Sequence, residues 1–343
     1  PLTRMLLLFS AAALSLLHPR GAPLAPPALA RTALHCRRRR AAPPPLLIAA
    51  EAPSRVVAFG DLHGDFEATL LVLQSAGLID DERRWCGGDT TLVQLGDILD
   101  RGDSERECWS LLQQLKAEAP ASGGRVICLV GNHEVLNVVG RAAPFIHASG
   151  HTAFGPDRAE AWKQGGPLAT ALAECPVVAI VGDSAFVHAC LPPGATRDDV
   201  KRLNAQMRRW LLDPLEPPPE WIWGGEGSPV WDRSLSLPSG YDLDEDACAT
   251  LRASLDRLGV ARVVVGHTPQ ASINAACGGA VWRCDTGMSR WVVGGVCEAL
   301  EISAEGVVRV LGRSDASSPK AAVVEAVDCD DDGCETTYFD IFG

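Results

Sequence analysis

Three short runs set aspartate, histidine and asparagine beside glycine where apolar segments end: GDLHGD at 60–65, GDILDRG at 96–102 and GNHE at 131–134. Two later apolar runs end in a lone histidine, His188 in FVHA and His267 in VVVGHTP. Carboxylate, imidazole and amide oxygen are donors for hard-to-borderline cations, and no thiolate stands among them to select a soft metal. Two such ions would keep the site positive even after two aspartates had ligated. It would then bind and polarise a phosphate and lower the pKa of a water held there. α/β proteins usually place chemistry in the loops after buried strands, and five such clusters are too many for turn composition alone.

The elements that must position these groups follow from periodicity. From Arg55 the chain alternates short apolar runs with helical patterns, as βα units do. RVVAFG, TLVQLG and RVICLV read as strands, and residues 65–78 and 104–119 as helices, the second with Trp109, Leu112 and Leu115 on one face. Residues 140–174, with their Gly-Pro pairs, read as a helical insertion or cap. PVVAIVGDSAFVHA predicts an antiparallel hairpin turning at Gly182-Asp183. A basic helix over 197–212 and a Pro-, Trp- and Gly-rich loop over 213–234 follow, then strands in ARVVVGH, GAVWRC, VCEALEI and VVRVL. The expected fold is α/β, a two-sheet β-sandwich flanked by helices, with a catalytic domain over 55–312 and no internal repeat.

Taken together, GDLHG, GDILDRG and GNHE resemble the phosphoprotein phosphatase branch of the calcineurin-like metallophosphoesterases. LVGNHEVLNVVG, VGHTPQ and CDTGMS narrow the resemblance to the Shewanella-like protein phosphatases of bacteria, plants and algae, over about residues 55–310. It implies two divalent or trivalent ions, Mn, Fe or Zn, with Asp61 and His63 on the first, Asp97 bridging, and Asn132, His188 and His267 on the second. It makes His133 the general acid, Asp100 its orienting partner, and Arg101 the grip on the substrate phosphate, with Asn132 also near the substrate. A second phosphate-binding arginine is implied in the 220s to 230s, where Arg233 is the candidate; the plain alternative for it is stacking on Trp231 or Trp223. Glu134 is expected to fix its loop rather than ligate. The implied reaction is hydrolysis of phosphoserine, phosphothreonine or phosphotyrosine esters in proteins by metal-hydroxide attack. Val130 and Ala189-Cys190 depart from the eukaryotic serine/threonine enzymes, which carry Arg and a Gly pair there. A diadenosine-polyphosphate-type nucleotide hydrolase shares GDxHG and GNHE and is the alternative. A non-catalytic scaffold fits less well, because every expected ligand is present.

With 343 residues, 47% of them hydrophobic, the chain can bury a sizeable core. Residues 1–50 hold seven Arg and no acidic residue, so of the net charge of −12 the remainder carries about −19. So acidic a body would repel nucleic acid, and a phosphorylated protein or peptide is the expected partner instead. The 12 cysteines form no C-x-x-C pair and no zinc-finger spacing, and no disulfide framework is expected. Cys128 and Cys190 sit in apolar runs, where free cysteine behaves as a small hydrophobe.

The apolar run 5–17 is too short to span a membrane and suits the core of a signal peptide; the Arg-rich, acid-free stretch after it resembles an organelle transit peptide. That order predicts a plastid reached through the secretory route, with secretion, the ER lumen or a mitochondrion as alternatives, and no stable span in the mature chain. Residues 1–50 are therefore set aside from the fold. Residues 313–343 read as an acidic, disordered tail. Within it DCDDDG, residues 328–333, copies half of a calcium loop whose closing Glu position is filled by Phe339, and Cys329 could pair with Cys334.

Overall fold

The computed structural model describes residues 53–312 apart from 239 and 240, and the backbones of two further strands; residues 1–50, expected from sequence to be a targeting segment, lie outside the described residues. Strands β1 (Arg55–Phe59), β2 (Thr91–Gln94) and β3 (Arg125–Cys128) lie side by side and parallel, joined through helices α1 (Phe66–Ser75) and α2 (Glu105–Glu118). Helix α3 (Asn132–Val138) follows β3, and the stretch read as a cap holds a 3₁₀ turn (Ala143–Phe145) and three short helices, α4 (Gly150–Ala153), α5 (Arg158–Trp162) and α6 (Pro167–Leu172).

The hairpin turning at Gly182-Asp183 pairs β4 (Val178–Val181) with β5 (Ser184–Val187). After α7 (Arg197–Leu212) and α8 (Glu245–Leu258) come β6 (Arg262–Val265), β7 (Asn274–Ala276), β8 (Val281–Arg283), β9 (Glu298–Ser303) and β10 (Val308–Gly312). One sheet has the order β10-β9-β1-β2-β3 and the other β4-β5-β6-β8-β7.

Strand alternation explains why these sheets stack. In β1, Val57 and Phe59 join the cluster packed under the helices, whereas Val56 and Ala58 join a second cluster with Phe186 of β5 and Val264 of β6 from the other sheet. Leu92 and Val93 of β2 divide in the same way. Strands β1 and β2 are thus apolar on both faces, one covered by helices and one by the opposing sheet. A fully buried side chain of this size contributes about 1.5–3 kcal/mol, so the double cover holds the strand ends rigidly.

Three features differ from the sequence expectation. Helix α8 was not foreseen, although Asp244 caps it by accepting from Ala247 N (2.8 Å), Leu251, Leu255 and Leu258 share a face, and Gly259 stops it in the left-handed region. Cys248 of α8 is disulfide-bonded to Cys277, a pairing that the scattered cysteines did not announce; the seven other described cysteines are free. In place of a disordered tail, β11 (Val324–Asp330) and β12 (Gly333–Phe339) form an antiparallel hairpin, in keeping with the Val, Thr, Tyr and Phe among the acids. Asp328 and Asp330 are therefore strand residues rather than part of a calcium turn. Residues 331 and 332 and the side chains of Cys329 and Cys334 lie outside the described residues. Among the described residues no helix is long and apolar enough to cross a membrane.

Candidate active site and metal centre

Because β1, β2 and β3 are parallel, the three motif loops emerge at one edge of their sheet. His188 directly follows β5 and His267 stands two residues beyond β6, its parallel neighbour in the other sheet. The two edges are tied together: His267 N donates to Asp61 Oδ1 (3.2 Å), and His188 Nδ1 meets Leu95 O (2.9 Å).

The loops are held in costly backbone shapes. Of the seven non-glycine residues with left-handed φ among the described residues, five belong to this site: His63, Asp97, Asp100, Arg101 and His267. Such conformations cost of order 1–3 kcal/mol each and persist only where surrounding bonds impose them. Those bonds are present. Leu62 N and His63 N both donate to Asp97 O (3.0 Å each), and Gly64 N donates to Ile98 O (3.0 Å). The fully buried Glu134 carboxylate accepts from Gly131 N, Asp97 N and Ile98 N, each at 2.9 Å, and so staples the second loop to the start of α3. Gly131 has no alternative, since a Cβ there would overlap Asp97 Oδ1.

The donor atoms of His63, Asp97 and His133 lie within 4.8 Å of one another, as do those of Asp97, His188 and His267, and Asp97 is common to both groups. Around His188 the fit to a cation can be tested directly. With Nδ1 donating to the Leu95 carbonyl, Nε2 of the neutral ring carries no proton. Yet Nε2 faces Asn132 Oδ1 (2.9 Å), His267 Nδ1 (3.1 Å) and Asp97 Oδ2 (3.5 Å). The Nε2 of His267 in turn faces Trp231 O (3.1 Å), so that nitrogen carries the proton and Nδ1 a lone pair. With Asp97 ionised, four lone-pair donors converge with no proton among them, and a metal ion satisfies all four. His63 is fixed alike, its Nδ1 on Leu99 O (3.0 Å), leaving Nε2 toward Asp97 (3.8 Å) and Asp61 (3.9 Å).

Electrostatics agree. Burial pushes Asp61 and Asp97 upward, and Asp285 beside them adds to this, so the carboxylates are costly to ionise without a cation. Burial lowers His63 and His267 well below the usual imidazole value and His188 to about 4, the neutral form that ligates metal. The residues present therefore fit a two-metal site.

Around it stand the other expected residues. His133 Nδ1 meets Asp100 Oδ2 at 2.8 Å, which leaves Nε2 free, and His133 N donates to Asp97 Oδ1 (2.9 Å). Burial, then the charge of Arg101, hold its pKa down, while burial raises that of Asp100 to about 6. Arg101 lies 5.5 Å from the Phe145 ring centroid, and its buried Nε has no partner. Arg233 is solvent-exposed and stacks on neither tryptophan: its Nη1 donates to His267 O (2.9 Å) and Thr268 Oγ1 (2.8 Å), and Arg141 covers Trp223 instead.

Four residues near the site were not singled out from sequence. Asn137 lies four positions after His133 on the same helix, a spacing visible in NHEVLN. Asp285 follows a strand, as the other acids do, in CDTG. Glu105 and Arg158 gave no local signal, because the ion pair that buries them joins residues 53 positions apart.

The chain matches the model of the calcineurin-like phosphoesterase family over residues 54–271. It is 34% identical to Shewanella-like protein phosphatase 2 of Arabidopsis thaliana, across 76% of this chain and 78% of that one. It is 28% identical to Shewanella-like protein phosphatase 1 of Plasmodium berghei, across 68% and 67%. In fold it resembles a cold-active protein-tyrosine phosphatase of a psychrophilic Shewanella species, with a TM-score of 0.59 and 23% identity over 76% of this chain and 80% of that one. The chain belongs to the calcineurin-like phosphoesterase family and, within it, to the Shewanella-like protein phosphatases.

Proposed function

We propose that this chain is a two-metal phosphomonoesterase acting on phosphorylated serine, threonine or tyrosine in proteins, and that Mn, Fe or Zn fills the site. The observation that carries this reading is the place of Asp97 in both donor groups, where a bridging ligand must stand. Asp61 and His63 would complete the first site, and Asn132, His188 and His267 the second. Metal ions held there supply Lewis acidity, which lowers the pKa of water and draws charge from phosphoryl oxygens.

The protein's own groups do the rest. Arg101 and Arg233 face the site with donors to spare for phosphate oxygens; the guanidinium fork suits them, and an incoming dianion satisfies the lone Nε of Arg101. With Nδ1 committed to Asp100, His133 has Nε2 left to exchange a proton, and that is the atom that would protonate the leaving oxygen. The positive neighbours that hold its pKa down, Arg101 above all, are offset once the phosphate dianion arrives.

Phosphate release from a phosphopeptide panel, set against dinucleoside polyphosphates, tests the reading. Turnover of phosphopeptides is expected; preference for the nucleotides would assign the alternative hydrolase. For the leader, we propose the plastid reached through the secretory route, supported by the apolar run followed by the Arg-rich one; a fluorescent fusion of residues 1–50 that stayed in the cytosol would refute it.

A further inference from the structure

The buried arginine of the helical cap has no part in the assignment above, yet every one of its donors is spent beside His133. Arg158 is 7% exposed and comes from α5, whose Trp162 is fully buried and meets Trp109 of α2 edge-on at 5.4 Å. Its Nε donates to Asn137 Oδ1 (3.0 Å). Nη1 donates to Gly150 O (2.8 Å) and to Glu105 Oε1; Nη2 donates to Asp100 Oδ1 (3.0 Å) and Glu105 Oε2 (2.9 Å). These five bonds exhaust the guanidinium.

Its partners are equally committed. Asn137 Nδ2 donates to both oxygens of Asp100 (3.0 and 3.1 Å) and to His133 O (2.9 Å). Glu105 Oε2 also accepts from Asp100 N (3.0 Å). Asp100 is thus gripped at backbone and carboxylate, leaving Oδ2 as the face turned to His133 Nδ1.

We infer that Arg158, delivered by the cap, is a positioning residue for the His133–Asp100 pair: it fixes the carboxylate and the Asn137 amide that aim the imidazole at the leaving oxygen. The inference rests on the phosphatase reading for its kinetic test. A lysine could supply the charge but not the planar five-donor fork, so the geometry demands arginine rather than a cation in general. Removing the fork leaves Asp100 and Glu105 buried without their counter-ion and frees the carboxylate to turn. His133 would then keep its place on α3 but lose its fixed ring orientation.

Wild-type turnover of a phosphoserine peptide is measured first; its absence would count against the phosphatase reading, not this one. Arg158→Met and Arg158→Lys are then compared with wild type on that peptide and on p-nitrophenyl phosphate, whose leaving group needs little protonation. Arg158→Met, with Arg158→Lys as the variant to rely on if the first does not fold, should lower kcat about 10- to 100-fold on the peptide and distinctly less on the nitrophenyl ester. KM and bound metal should stay unchanged. Added to His133→Ala, the substitution should cost nothing further on the peptide, because the two act as one unit. In the metal-free protein, the low-field Nδ1 proton resonance of His133, assigned by its absence from His133→Ala, should shift upfield or broaden away in Arg158→Met. Equal losses on both substrates, losses that add to those of His133→Ala, or an unmoved Nδ1 resonance would each overturn the inference.

Discussion

On the first sheet's edge, Asp61, His63, Asp97, Asp100 and His133 come from three loops that are bonded to one another at many points, through Asp97 O, Glu134 and the Arg158 cluster. On the second sheet's edge, His188 and His267 come from two strand ends, and each ring is fixed by one backbone carbonyl, of Leu95 and Trp231. The first half carries its shape in its own hydrogen bonds. In the second, lone pairs face each other and require a cation to hold them. The loops of the first sheet thus carry their own preorganisation, the histidines of the second lean on a cation, and Asp97 is the residue common to both donor groups.

The largest effect should follow from removing that shared residue's charge. Asp97→Asn leaves one anion fewer at both positions and should lower turnover by orders of magnitude with loss of bound metal, read by phosphate release and elemental analysis. Next is His133→Ala, expected to lose about 10² to 10⁴-fold on a phosphoserine peptide and distinctly less on p-nitrophenyl phosphate at unchanged metal content. Glu134→Gln should unsettle the first half alone, since each buried donor left without its acceptor costs about 1–3 kcal/mol; thermal and denaturant unfolding would show the loss.

Chelation should separate the two halves by pH and by place. Burial raises Asp61 and Asp97, so the metal-free folded state holds protons more tightly than the unfolded chain. The contribution of these two carboxylates to its stability is then fully present below the ordinary carboxylate range and is lost as pH rises through the raised values. The drop in melting temperature caused by a chelator should therefore be larger at pH 8 than at pH 5. Amide exchange should quicken around residues 188 and 267 more than around 97–100 and 131–134; the reverse order would break the comparison. The smallest change belongs far from either half: Thr196 caps α7 by accepting from Asp199 N (3.3 Å), and Thr196→Ala should cost about 1 kcal/mol with turnover unaffected.

The division also explains what could be read from sequence. The first half was legible because its groups sit in contiguous motifs after apolar runs; Asp61, His63, Asp97 and Asn132 announce themselves by type and spacing. His188 and His267 were legible as single histidines at strand ends and joined the set by that position, while the resemblance alone assigned them to the second ion. Arg158 was invisible, since its partner Asp100 lies 58 residues away and nothing around it marks a buried ion pair. Helix α8 had its cap and stop in plain view, while the Cys248–Cys277 bond depends on how α8 packs against the turn after β7, which spacing does not encode. Local chemistry and periodicity thus carried the sandwich and the motif loops, and long-range packing carried the cap's contribution.

Metal content per chain, measured by elemental analysis after equilibration with manganese, tests the two-metal account most directly. Wild type should hold two ions, His63→Ala and His188→Ala one each, and Asp97→Asn fewer than either. A single ion in wild type, or two retained in Asp97→Asn with near-normal turnover of phosphopeptide, would contradict it.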